Sequence, residues 1–145
     1  MIKKTSAFTL IEILVVATII IVLTTISIAS FSTANKSARD AKRKSDMETI
    51  RQALVLYKTQ TGAYPTPASD FAAVTSPLVP ATGTQYLTPP VPSDPGSASY
   101  TGSSNASSFC VCAVSETSKG NRSAATCPST GWTTTGGAYY CAKNP

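Results

Sequence analysis

The chain has 145 residues and a net charge of +5, from 12 basic and 7 acidic side chains, with no His; apolar residues make up 42% and charged residues only 13%. A soluble domain carries nearer a quarter charged, so the apolar excess needs an unusual home. The lack of His removes the commonest general base and metal ligand, and only Asp70, Asp94 and Glu116 lie beyond position 48 as carboxylates, which argues against an enzyme.

Every Pro and Gly lies after Thr61, so residues 1–61 can form one uninterrupted helix. From Ile13 to Asn35 no residue is charged, and Phe8 to Phe31 is dominated by Leu, Ile, Val, Ala, Phe and Thr. A run of that length crosses a bilayer core as a helix, whereas a removable signal peptide has a shorter apolar region ending at a small-x-small site. Ala29-Ser30-Phe31 and Ser32-Thr33-Ala34 imitate such a site, but the residues beyond them keep helical spacing rather than becoming a loop. Met47, Ile50, Leu54 and Tyr57 recur at steps of three and four, with Ala38, Ala41 and Ala53 extending the stripe. Lys42, Arg43, Lys44, Glu48, Arg51 and Lys58 are assigned to other, solvated faces, and Gly62 with Pro65 stops the helix. The charge run Lys36, Arg39, Lys42, Arg43 and Lys44 is broken by Asp40 and Asp46 and has no interleaved aromatic residue, so nucleic acid is an unsupported partner.

Residues 62–108 read as loops, with a short strand near Thr84–Leu87. Two better strands come later, Phe109–Val114 and Ala138–Ala142, and such a small sheet can bury a face only against the Met47, Ile50, Leu54 and Tyr57 stripe. The expected fold is α+β: a long N-terminal helix packed on a small antiparallel sheet. Cys110, Cys112, Cys127 and Cys141 all fall late in the chain. An even count in a small, poorly cored domain favours two disulfides over a zinc site. Cys110 to Cys112 is disfavoured, because neighbours two apart on a strand sit nearly 7 Å apart with parallel side chains. The open alternatives are 110–127 with 112–141, or 110–141 with 112–127. Trp132, Tyr139 and Tyr140 complete a small core or an intersubunit contact, and N-x-S sequons stand at Asn35, Asn105 and Asn121.

The most informative residue is Glu12. Met1–Ala7 is a short leader holding Lys3 and Lys4; then comes Phe8-Thr9-Leu10-Ile11-Glu12, a carboxylate at the start of an apolar helix. Burying that charge in hydrocarbon costs a few kcal/mol unless a partner is found, and no cation lies between Phe8 and Asn35. These residues, Phe8 to Val16, resemble the N-terminal methylation signature of the type IV pilin and type II secretion pseudopilin family. The resemblance implies cleavage between Ala7 and Phe8 by a prepilin peptidase that then methylates the Phe8 amine. Glu12 of an incoming subunit would pair with that amine on a neighbour and set the register; a pairing with Phe8 of its own chain, one turn away, competes. Ala7 stands where the family usually has Gly, and Ile21 and Ala29 where many members have Gly and Pro. The Thr61–Pro65 turn and the Pro92–Pro95 segment look most like major pseudopilins and related small pilins. In major pseudopilins a late loop holds calcium through Asp and carbonyl oxygens; here Glu116 is the one acid after Asp94, so neither a metal nor a cofactor is expected.

The organisation implied is a leader at 1–7, a transmembrane and filament-core helix at 8–35, its amphipathic continuation at 36–61 and a β-rich head at 62–145. Basic residues flank both ends of the span, and the positive-inside rule alone would keep the head cytoplasmic. The cysteines and the resemblance place it outside. The expected role is a structural subunit, first of a type IV pilus, second of a secretion pseudopilus, and third, from another class, a monomeric membrane-anchored binding protein. Implied partners are identical subunits, the prepilin peptidase and methyltransferase, an assembly platform with minor pilins, and the cytoplasmic membrane, which is left for an extracellular filament.

Overall fold

The computed structural model describes residues 8–66, 68–127 and 137–144. The elements are α1 (Leu10–Thr61), α2 (Phe71–Thr75), a 3-10 turn (Ser76–Leu78), β1 (Thr101–Ser104), β2 (Phe109–Val114) and β3 (Tyr139–Lys143). Two units divide between Asn35 and Lys36, with α1 contributing to both.

In the first unit, the large apolar side chains from Phe8 to Phe31 that are described all face outward, including Leu10 at 92% exposure. A helix surface that is apolar on all sides and exposed is stable against lipid or another apolar surface. Its length and composition suit a membrane crossing.

The second unit is the head. Met47, Ile50 and Leu54 are fully buried against Val74, Leu78 and Val111, and Ala53, Leu87, Phe109 and Tyr100 complete the cluster. The helical stripe is thus the floor of the core. Gly62, at φ +87°, ends α1 in the left-handed conformation, and its N–H donates to the Lys58 carbonyl at 2.8 Å.

The sheet is antiparallel in the order β1-β2-β3, with Thr101 opposite Cys112 and Cys112 opposite Cys141. Period-2 alternation puts Phe109, Val111 and Ala113 of β2 in the core and sends Cys110 and Cys112 to the other face. That second face is tied to residues 120–127. Gly120 pairs with Gly137, Arg122 pairs with Tyr139, and the Asn121 side chain both donates to and accepts from the Cys141 backbone at 2.9 and 2.7 Å. A Cβ on Gly120 would lie 2.0 Å from the Tyr139 carbonyl oxygen, so only glycine allows this approach.

The region read as loops departs from expectation. Residues 84–87 form no strand; the Tyr86 and Leu87 N–H groups both donate to the Leu78 carbonyl, and Leu87 plugs the core. Instead, α2 forms where Asp70 caps it by accepting from Ala73 N–H at 2.8 Å, and β1 forms from Thr101-Gly-Ser-Ser104. The strand passes close to α2 at Gly102, where a Cβ would lie 3.2 Å from the Phe71 backbone. Ala38 and Ala41 are exposed, not part of the buried stripe. Steps of three and four backward from Met47 reach Arg43 and Asp40, and these are the residues buried.

Candidate functional site

Two sites are built by α1, one at its start and one in the head. At the start, Thr9 precedes the first helical residue, and its Oγ1 accepts from Glu12 N–H at 3.3 Å. The Glu12 carboxylate in turn accepts from Thr9 N–H and Thr9 Oγ1, both at 3.2 Å. This is a capping box, which satisfies two helix-end donors and sets a negative charge against the positive end of the helix dipole. The Thr-x-x-Glu spacing that signals it is visible in the sequence. Glu12 therefore has a local partner in its own chain as well as an exposed carboxylate that a neighbour can reach. Phe8 is 80% exposed, and Ala7 lies outside the described residues.

The four cysteines form two pairs, Cys110–Cys127 and Cys112–Cys141, so of the two open connectivities the structure holds the first. Cys112 and Cys141 face each other across the β2–β3 ladder, and Cys110 holds the 120–127 segment onto the same face. The sulfurs of Cys110, Cys112 and Cys127 lie within 4.8 Å of one another, yet disulfide sulfurs offer no thiolate to a metal.

The second site is a buried charge cluster that overturns the assignment of Arg43 to a solvated face. The Arg43 side chain is 3% exposed. Its Nε and Nη2 donate to the two oxygens of Asp94 at 2.6 and 2.9 Å, and its Nη1 donates to Asp40 at 2.9 Å and Glu116 at 2.6 Å. Arg39 donates from Nε and Nη2 to the same Glu116. Asp40 also accepts from the Ser115 hydroxyl, the Glu116 and Thr117 N–H groups and the Thr117 hydroxyl. Beside the cluster, Lys42 pairs with Asp46, which accepts from the buried Tyr100 hydroxyl at 2.7 Å. Among the described residues no buried side-chain polar atom lacks a partner.

The electrostatics are set by these contacts. Hydrogen bonding to Asp94 holds the Arg43 guanidinium protonated far above its ordinary range against the pull of burial, with Glu116 and Asp40 adding to the effect. Burial alone would raise Asp40, but the Thr117 hydroxyl, the backbone N–H groups of Glu116 and Thr117 and the Arg43 guanidinium hold it well below the usual carboxylate range. Arg39 and then Arg43 draw Glu116 down to about 2. Burial, reinforced by the Asp46 carboxylate, pushes the Tyr100 phenol up.

A late-loop calcium ion of the kind the pseudopilin resemblance implies does not fit this donor set. Asp94 and Glu116, the acids of that region, are already bonded to arginine, and Asp40 is filled by N–H and O–H donors. The cluster escaped the sequence because its partners are 51 and 73 residues from Arg43 along the chain. Of the late aromatic residues, Tyr140 packs against the core and donates to Glu48, Tyr139 is half-buried in β3, and Trp132 lies outside the described residues.

Among known proteins, residues 30–125 match the family model described as type II secretion system, protein G. No curated protein and no solved structure matches the chain. The match covers about two thirds of the sequence and takes in the amphipathic half of α1, the buried charge cluster and most of the sheet, so the chain belongs to the type II secretion system protein G family.

Proposed function

We propose that this protein is a pseudopilin: a membrane-held subunit, cleaved before Phe8, that polymerises through the apolar half of α1 into the filament of a type II secretion system. The carrying observation is the outward-facing apolar surface from Phe8 to Phe31, joined to a head of the protein G family. Such a helix is stable in lipid before assembly and in the shared core of a helical filament afterwards. Glu12, exposed near the start of α1, is the assembly group: pairing with the processed Phe8 amine of a neighbour stabilises one axial register over all others. The partners are identical subunits and related pseudopilins, the peptidase that removes 1–7 and methylates Phe8, and the platform that extracts subunits from the cytoplasmic membrane.

A type IV pilus subunit is the second reading, supported by the same N-terminal signature, and the family match ranks it below the pseudopilus. Deleting the gene separates them: loss of secreted enzymes with surface pili intact supports the pseudopilin, while loss of pili with secretion intact supports the pilin. Mass spectrometry of the mature chain should find methylated Phe8 at its start; an intact Met1 or a cut near Ala34 sinks both.

A further inference from the structure

We propose that Arg43 is the built-in cation of the head: its guanidinium fills a cage of three carboxylates, Asp40, Asp94 and Glu116, and makes the attachment of the late loop independent of calcium or any other divalent ion. The three acids come from separate parts of the chain, the helix, the 94–96 turn and the 115–117 loop, and they converge on one centre. Three carboxylates around a point repel one another unless a positive charge sits between them, and oxygen sets of this kind are what hard cations favour. Here the centre is already taken. Arg43 uses its fork on both oxygens of Asp94 and divides Nη1 between Asp40 and Glu116, a planar geometry that an ammonium could not reproduce.

The side chains of Arg43 and Asp94 are 3% and 1% exposed, which seals that pair from solvent, while Glu116, at 25%, stands at the edge of a cavity that Arg39 and Arg43 also line. Further donors reach the same carboxylates: Asp94 Oδ1 accepts from Gly96 N–H at 2.7 Å, and Glu116 Oε2 is held by Arg39. Arg39 and Arg43 together carry two positive charges, equal to one calcium ion. The chain passes close over the site at Gly96, where a Cβ would lie 3.1 Å from both Arg43 Nη2 and Asp94 Oδ1.

The test monitors thermal unfolding of the full chain in detergent by the near-ultraviolet circular dichroism of its buried tyrosines. The wild-type midpoint should be the same in excess EGTA and in millimolar calcium chloride; a midpoint that falls in EGTA and returns with calcium overturns the proposal. Arg43→Ala vacates the cage, and its midpoint in EGTA should drop by at least about 10 °C. Calcium, but not sodium at equal ionic strength, should restore part of that loss. A folded Arg43→Ala chain as stable as wild type, or one indifferent to calcium, refutes the cage. If Arg43→Ala does not fold, Arg43→Lys keeps the charge without the fork: a lowered, calcium-insensitive midpoint supports the proposal, and a calcium-dependent or undiminished one overturns it.

Discussion

Glu12→Gln separates the two things that Glu12 can do. The amide keeps an oxygen that accepts from Thr9 N–H, where the carboxylate now accepts at 3.2 Å, so the capping box survives in outline while the charge is lost. Thr9→Ala does the reverse, removing the hydroxyl that accepts from Glu12 N–H and leaving the carboxylate in place. A cap of this kind contributes about 1 kcal/mol to the helix, or about a fivefold change in an equilibrium constant. An ion pair between Glu12 and a neighbour's amine, out of water in a filament core, leaves an uncompensated charge when one partner is removed and costs roughly 3 kcal/mol or more. That corresponds to about a 150-fold loss in the constant for adding a subunit. The assay is the yield of sheared filaments, counted by electron microscopy and immunoblot, with membrane insertion of each variant checked by fractionation. Glu12→Gln should insert normally and assemble hardly at all, while Thr9→Ala should keep most of its filaments. Equal yields from the two variants would mean that capping alone explains Glu12 and would refute the register mechanism.

The other predictions concern the head. By the loop-entropy relation, the Cys112–Cys141 bridge, spanning 29 residues, contributes about 3.6 kcal/mol and Cys110–Cys127, spanning 17, about 3.1 kcal/mol. The Cys→Ser pairs should lower stability in that order, as read by chemical denaturation; an unchanged midpoint in either contradicts a structural role. Ile50→Ala, at a fully buried position, should cost about 2–5 kcal/mol, and Leu56→Ala, at 45% exposure, no more than about 0.5 kcal/mol. Acid titration has a fixed sign. Asp40, Asp94 and Glu116 lie below their ordinary values of 3.8, 3.8 and 4.5 in the folded head, so their contribution is complete above those values and is lost as pH falls through the folded ones. The tyrosine signal should be flat from neutrality to about pH 5 and decline only in stronger acid, and Asp40→Asn should weaken that dependence. A transition near pH 6 would show that other groups control the head.

Most of α1 was legible from residue order alone. Its apolar run, the Met47, Ile50 and Leu54 stripe and the Gly62 stop are local signals, each carried by neighbours within two turns. The strand Phe109–Val114, and the last strand, expected at Ala138–Ala142 and found at Tyr139–Lys143, declared themselves by β-branched, aromatic and Cys content. The short β1 did not, because Thr101-Gly-Ser-Ser104 has no apolar alternation and takes its conformation from pairing with β2.

What the sequence determined by itself is the N-terminal half of α1: an apolar helix with one carboxylate near its start needs no tertiary context to be recognised, since hydrophobicity and charge are properties of residues. Tertiary structure alone decided the head's wiring. Cysteine pairing waited on the register that sets Cys112 opposite Cys141, and Arg43 could enter the core only because Asp94 and Glu116 arrive there from distant segments. A lone arginine at that position belongs in water; three carboxylates folded around it reverse the preference, and no reading of nearby residues contains that information.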